Sequence, residues 1–224
     1  MKHLNIALDG PAGAGKSTIA SIISQRLGIL HLDTGAMYRA VAYKAIKSGI
    51  KDFDTNGIKR LLPSLNLKVV YKNNRQLIIL DGEDITSKIR TPQISDGASK
   101  VAVIPEVRLK LVEIQREIAD NNDLIIDGRD IGTYVLPEAR YKFFLTASLD
   151  ERAKRRWIEL RNKNICCSYE EVLKDIEFRD KNDSSRAFAP LKKAEDAILV
   201  DTTGKSIEQV VDIILSRLKN NSNL

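Results

Sequence analysis

A chain of 224 residues is long enough to bury one substantial core, and its 43% hydrophobic and 29% charged residues are typical of a soluble globular protein. No apolar run approaches the ~20 residues that cross a bilayer, and the N-terminus passes directly into a strand pattern, so we expect a cytoplasmic protein with no membrane partner. The net charge of +6 is compatible with nucleic-acid binding, but only 5% of the residues are aromatic, which disfavours a base-stacking surface. We therefore expect no nucleic-acid partner.

The first predicted strand, at residues 4–8, is followed by the glycine-rich stretch GPAGAGKST. Its spacing is G-x-x-x-x-G-K-S, in which glycines let backbone N–H groups turn toward phosphate oxygens and the lysine adds a cation. Apolar residues then recur at helical spacing, so the loop leads into a helix N-terminus. An ordinary glycine-rich turn is the alternative, but the strand–loop–helix order favours nucleotide binding. The predicted phosphate-binding residues are Gly10, Pro11, Ala12, Gly13, Ala14, Gly15, Lys16, Ser17 and Thr18, with Lys16 also catalytic and Ser17 a ligand of Mg²⁺.

The second predicted strand, at residues 29–32, runs into the stretch LDTGAMYR. Thr34 follows the strand end closely, and Arg39 lies further along the helix that begins there. Because one turn of helix separates them, Arg39 is expected close to any group that Thr34 contacts.

Between residues 65 and 90 the pattern changes, since LNLKVVY and QLIIL flank Lys72, Asn73, Asn74 and Arg75. Two apolar runs around a short polar turn predict a β-hairpin within an otherwise alternating α/β pattern. We interpret residues of about 63–100 as an inserted subdomain.

The stretch LIIDGRDIG places charged residues directly after a buried strand. Ligands of open parallel sheets bind at the carboxyl ends of the strands. Asp127 is therefore predicted to orient Mg²⁺ through water, and Arg129 to bind phosphate. A strand-ending turn whose charges serve solubility is the alternative interpretation.

Residues of about 150–168 form a basic segment that contains LDERAKRRWIELRNKN. A solvated basic helix face explains such a segment in most proteins. Beside a triphosphate site, an arginine-rich segment is instead a candidate lid that closes over the transferring group, and we assign Arg155 and Arg156 to it as catalytic residues.

The stretch RDKNDSSRAFAPL carries Arg179, Asp183 and Arg186 at intervals of four and three residues. On a continuing helix the three side chains share one face, which fits either a surface ion-pair ladder or a site for the acceptor.

Further strand patterns at residues 124–126, 141–145 and 197–200 alternate with helical patterns, which predicts an α/β fold with a parallel sheet flanked by helices. Two S-x-x-E/Q capping boxes, at Ser168 and at Ser206, predict helix starts. We expect a single domain over residues 1–224 that acts as a monomer. The adjacent Cys166 and Cys167 form neither a disulfide framework nor a zinc site, and we interpret them as packing residues.

Taken together, the stretches GPAGAGKST, LDTGAMYR, GEDIT, IRTPQIS, PEVR, DGRDIGT and RDKNDSSRAFAPL resemble the bacterial cytidylate kinase family over nearly the whole chain. The P-loop is shared by many families, whereas DGRDIGT and the R-D-x-x-D-x-x-R-x-x-x-P-L run are specific to this one. Two departures are mild: Phe178 stands where relatives usually carry a charged residue, and Thr34 where some carry serine.

The resemblance implies a P-loop kinase core with a small β-containing insert that binds a nucleoside monophosphate, and a short lid. It implies transfer of the γ-phosphoryl group of ATP, with Mg²⁺, to CMP or dCMP. The implied contacts are Thr34, Ser99, Arg108 and Asp130 at the cytosine, Arg179 and Asp183 at the ribose, and Arg39, Arg129 and Arg186 at the CMP phosphate, with Arg129 and Arg186 also catalytic.

Two alternatives stay open at this point. The first is a P-loop kinase for another small acceptor, such as UMP or shikimate. The second is a nucleotide-gated binding module without transfer activity.

Overall fold

The computed structural model describes residues 3–220, which fold as two compact units. The first, here called the hairpin unit, comprises residues 29–124 with the short segment that ends at Leu4. The second, the P-loop unit, comprises residues 5–28 and the chain from residue 125 onward. In chain order the strands and helices are β1 (Asn5–Asp9), α1 (Lys16–Leu27), β2 (Leu30–Asp33), α2 (Thr34–Lys47), α3 (Thr55–Leu61), β3 (Leu67–Lys72), β4 (Arg75–Leu80), β5 (Glu83–Asp84), α4 (Pro92–Val101), α5 (Pro105–Asp120), β6 (Leu124–Gly128), β7 (Tyr141–Thr146), α6 (Leu149–Asn162), α7 (Tyr169–Ser185), β8 (Ile198–Asp201) and α8 (Ile207–Asn220).

Strands of the P-loop unit lie in the order β6-β1-β7-β8, with β1 parallel to β7 and β7 parallel to β8. Every residue of β6 is buried, as expected for a strand covered on both faces. The predicted α/β fold with a mainly parallel sheet is therefore confirmed. The end of the glycine-rich loop and the DGRD stretch after β6 lie close together, since Ser17 Oγ is 2.7 Å from Asp127 Oδ2.

In the hairpin unit, β3, β4 and β5 form a small antiparallel sheet. Lys72 pairs with Arg75, so the connecting turn consists of Asn73 and Asn74 alone. These asparagines have φ values of 52° and 58°, the left-handed conformation that a two-residue type I′ turn requires. The predicted hairpin is confirmed.

The segment interpreted as a lid is mostly helical, because α6 covers its first part and a turn then leads to Ser168. Ala153 and Leu160 of α6 pack with Val172 and Ile176 of α7 in one apolar cluster. Both predicted capping boxes, at Ser168 and Ser206, are present. None of the described helices combines the length and apolar character needed to span a membrane. The boundaries of the insert and of the lid stay predictions.

Candidate functional site

The glycine-rich loop leaves β1 at Gly10 and enters α1 at Lys16. Gly10, Gly13 and Gly15 have φ values of 147°, 74° and 87°, a region that residues with a Cβ rarely adopt. A Cβ on Gly10 would overlap the carbonyl oxygen of Leu145, and one on Gly13 would lie 3.0 Å from the Cβ of Arg152. The loop is therefore pressed against neighbouring main chain, and glycine is needed there for space as well as for conformation.

Lys16 is the first residue of α1, and its side chain is buried. Its Nζ donates a hydrogen bond of 2.7 Å to the carbonyl of Pro11, which closes the loop on itself. Burial, reinforced by the positive charge of Arg129, lowers the pKa of Lys16 to about 7, although Asp127 and Asp183 act in the opposite direction. An ammonium group in this environment would be stabilised strongly by the negative charge of a phosphate.

A hydroxyl and a carboxylate meet beside the loop, because Ser17 Oγ donates a hydrogen bond of 2.7 Å to Asp127 Oδ2. Both are hard oxygen donors of the kind that Mg²⁺ prefers. Within the described residues, no group of three or more His, Cys, Asp or Glu side chains that could hold a metal occurs. The pair therefore fits a magnesium ion that takes its other ligands from water and phosphate, as is usual for this cation.

Asp9, which is not among the predicted site residues, holds the turn that follows the DGRD stretch. Its two carboxylate oxygens accept hydrogen bonds from the backbone N–H groups of Ile131 and Gly132, at 2.8 and 2.7 Å. Burial raises the pKa of Asp9 to about 6 against the effect of these two donors. The sequence does contain a feature that could have identified Asp9, since this carboxylate ends β1 and directly precedes the loop in LDGPAG.

A partly buried network of arginines and aspartates lies in the same unit. Arg129 Nε donates a hydrogen bond of 2.7 Å to Asp183 Oδ2, and Arg186 Nη1 lies 3.5 Å from Asp183 Oδ1. Arg186 Nη2 is 3.9 Å from Asp130 Oδ1. Burial alone would raise the pKa of Asp183, but Arg129 and Arg186 hold it below its usual value. The structure thus brings together four of the residues predicted to bind the acceptor.

The predicted shared helix face is wrong for one residue. Helix α7 ends at Ser185, so Arg186 lies beyond it with extended backbone, and its Nε donates to the carbonyl of Ala189. Arg179 stays on the helix, where its Nε donates to Asp175 Oδ1 at 3.0 Å. Arg186 therefore reaches Asp183 from the following loop and not from the next helical turn.

The two arginines assigned to the lid are bound to other protein groups. Arg155 donates to Glu151 Oε1 and to the hydroxyl and carbonyl oxygens of Thr202, whereas Arg156 donates to Glu159 Oε2. Their catalytic assignment stays a prediction.

The neighbouring Arg152, which is not among the predicted site residues, connects the glycine-rich loop to α7. It is buried, and its guanidinium donates to the carbonyls of Ala12 and Ala147 and to Asp180 Oδ2. The sequence of this basic helix does not indicate that Arg152 differs from its neighbours, because which of several arginines is buried depends on tertiary packing.

The remaining predicted contacts belong to the hairpin unit. Thr34 is buried at the start of α2, and Arg39 Nη2 donates to Asp33 Oδ2 at 2.8 Å. Arg108 of α5 is among the largest fully buried side chains; its Nη1 donates to the carbonyl of Ala102, and its guanidinium lies 5.5 Å from the ring of Tyr38. Ser99 of α4 donates to the carbonyl of Ser95.

Comparison with known proteins places these features in a family. Residues 6–220 match the family model described as cytidylate kinase. A cytidylate kinase of Caldicellulosiruptor bescii is 52% identical over 215 residues, covering 96% of this chain and 95% of that protein. A cytidylate kinase of Clostridioides difficile is 52% identical over 219 residues, covering 97% and 99%. The resemblance drawn from the sequence motifs, and the P-loop kinase fold that it implied, are confirmed.

Among solved structures, the crystal structure of an uncharacterized protein from Eubacterium ventriosum is similar with a TM-score of 0.56. It is 14% identical and covers 98% of this chain and 100% of its own, so it supports the fold alone.

The close approach at Gly10 leads to a prediction. Gly10→Ala introduces a Cβ that overlaps the carbonyl of Leu145, and we expect the free energy of unfolding to fall by about 2–4 kcal/mol. Gly204→Ala is the matched control, because Gly204 also has a positive φ, of 66°, but a Cβ there meets nothing within 4 Å. Its expected cost is about 1 kcal/mol. Denaturant unfolding of both variants measures the difference. Equal losses of unfolding free energy in the two variants would show that the Cβ at position 10 causes no clash.

Proposed function

The chain belongs to the cytidylate kinase family, and from this premise we propose that it transfers the γ-phosphoryl group of ATP to CMP or dCMP, giving ADP and CDP or dCDP. The observation that carries the proposal is geometric: within one unit, Ser17 at the end of the glycine-rich loop binds Asp127 at 2.7 Å, and Arg129, two residues further on, binds Asp183 at 2.7 Å. The first pair would serve the donor and the second the acceptor. The cytoplasmic location and the monomeric state expected from the sequence stay predictions.

On the donor side, we assign the phosphates of ATP to the backbone N–H groups of residues 10–18. The left-handed glycines and the N-terminus of α1 favour this, because both direct N–H groups toward an anion. Lys16 would leave the Pro11 carbonyl for a phosphate oxygen. It would then neutralise charge that develops as the bond to the leaving ADP oxygen breaks.

On the acceptor side, we assign Arg129 and Arg186 to the phosphate of CMP. One CMP phosphate oxygen attacks the γ-phosphorus while the bond to the β–γ bridging oxygen breaks, so no covalent enzyme intermediate is needed. The arginines would hold the attacking oxygen in line and offset the repulsion between two phosphates. Asp183, with Arg179, is assigned to the ribose, and Asp130 to the base. The roles that family membership implies for Thr34, Arg39, Ser99 and Arg108 of the hairpin unit are retained as part of the proposal.

Ser17 and Asp127 are the residues that would hold Mg²⁺. When bound, the ion would polarise phosphate oxygens and reduce their mutual repulsion. Arg155 and Arg156 are proposed to act on closure over the donor. Closure would exclude water, which would otherwise hydrolyse ATP.

A panel of acceptors tests the proposal against its alternatives. With ATP and Mg²⁺, we expect ADP to form rapidly with CMP or dCMP and far more slowly with UMP or shikimate. Turnover confined to UMP or to shikimate would identify another small-acceptor kinase. Nucleotide binding with no turnover for any acceptor would identify a binding module.

Removal of the loop cation gives a second prediction. Lys16→Ala should remain folded while kcat for CMP phosphorylation falls by about 10²–10³-fold, because a preorganised positive charge at the transferring group is lost. Lys110→Ala, at an exposed ion pair of α5, is the control and should keep wild-type kcat. Steady-state kinetics measures kcat for each variant, and circular dichroism checks that each is folded. Normal turnover in Lys16→Ala would overturn the P-loop assignment.

Base choice gives a third prediction. Cytosine presents an exocyclic amine where uracil presents a carbonyl, so a carboxylate such as Asp130 should accept a hydrogen bond from CMP but repel UMP. We expect wild-type kcat/KM to favour CMP by roughly a hundredfold. Asp130→Ala should narrow this ratio, and Asp130→Asn should narrow it at least as much, because the amide can donate to the uracil carbonyl.

The control for base choice is Asp120→Ala, which removes an exposed carboxylate at the end of α5 and should leave the CMP:UMP ratio unchanged. An unchanged ratio in both Asp130 variants would show that this carboxylate does not contact the base.

A further inference from the structure

Side chains of the β3–β4 hairpin bind the backbone of β2 within the hairpin unit. The backbone N–H of Asp33 donates to Gln76 Oε1 at 2.7 Å, and Gln76 Nε2 donates to the carbonyl of Asp33 at 3.2 Å. Tyr71, directly opposite Gln76 across the hairpin, donates its hydroxyl to the carbonyl of His31 at 3.2 Å. A cross-strand pair therefore binds two residues of β2.

The chemistry of this contact calls for an amide at position 76. His31 and Asp33 are two residues apart on one strand, so their backbone groups point to the same edge of β2. The amide of Asn or Gln presents a donor and an acceptor side by side on one planar group, and the shorter Asn would not extend as far. The reciprocal pair also determines which atom of the amide is oxygen, because the N–H of Asp33 needs an acceptor.

Asp33 connects this contact to the start of α2. Its Oδ1 accepts from the backbone N–H of Ala36 at 3.0 Å, which caps the helix, and its Oδ2 accepts from Arg39. The carbonyl held by Gln76 belongs to the peptide group that joins Asp33 to Thr34. Because that group is planar, fixing the carbonyl also fixes the N–H of Thr34 and the direction in which α2 begins.

We infer that Gln76 is a positioning residue for the acceptor, which acts through Asp33 to orient Thr34 and Arg39. This inference rests on the proposed function, since it takes those two residues as contacts of CMP. Gln76 itself touches backbone and needs no contact with the substrate. Its loss should therefore weaken CMP binding more than it affects the donor.

The test is Gln76→Leu, which keeps the size of the side chain but removes both hydrogen bonds. We expect KM for CMP to rise about fivefold to twentyfold while KM for ATP changes less than about twofold, because only the acceptor residues lose their support. Exchange of the Asp33 amide hydrogen should accelerate by about tenfold or more, a readout that does not depend on activity. Gln25→Leu, on the exposed surface of α1, should leave all three quantities unchanged.

A second variant separates positioning from simple stabilisation of the hairpin. Tyr71→Phe removes the bond to His31 but leaves the Asp33–Thr34 peptide group held, so it should lower the melting temperature without changing KM for CMP beyond about twofold. Equal effects of the two variants on KM for CMP, or an unchanged KM in Gln76→Leu, would overturn the inference. Absence of CMP phosphorylation by the wild-type protein would instead overturn the proposed function.

Discussion

The absence of a side chain at Gly10 allows the glycine-rich loop to lie against the main chain of Leu145. Strands β1 and β7 pair in parallel as far as Asp9 and Phe144, and Gly10 then meets the main chain of Leu145 at a distance that admits no Cβ. Asp9, directly before this glycine, accepts hydrogen bonds from the backbone of Ile131 and Gly132. A larger residue at position 10 would displace the start of the loop from the main chain of Leu145.

Charge in the P-loop unit is arranged in two different ways. Arg129 and Asp183 are paired at 2.7 Å, so each stabilises the ionised form of the other despite burial. Lys16, in contrast, is bound to the carbonyl of Pro11, which carries no net charge, and its pKa is lowered to about 7. Under the proposed function, the first arrangement would serve as a preorganised anchor for the acceptor, and the second as a cation whose partner arrives with the nucleotide.

In each unit, a residue near the start of a helix also makes a contact far away in the sequence. Asp33 caps α2 in the usual way for a residue at that position, yet its backbone is held by Gln76, 43 residues further along the chain. Arg152 similarly lies in the first turns of α6, and its guanidinium binds both the carbonyl of Ala12 and Asp180. Local sequence places each of these residues on its element, and its function as a link arises only from what lies opposite.

The amino-acid sequence by itself determined the positions of the main strands, the glycine-rich loop, the hairpin turn at Asn73 and Asn74, and the capping boxes, because each depends on residues close together in the chain. It also identified the family, since the motifs are specific in combination. Tertiary structure alone decided that α7 ends before Arg186, that Asp9 holds the turn after the DGRD stretch, that Arg152 binds the glycine-rich loop, and that Gln76 binds Asp33. Burial and hydrogen-bond partners depend on segments far apart in sequence, and the spacing of residues along one element carries no information about the surface that packs against it.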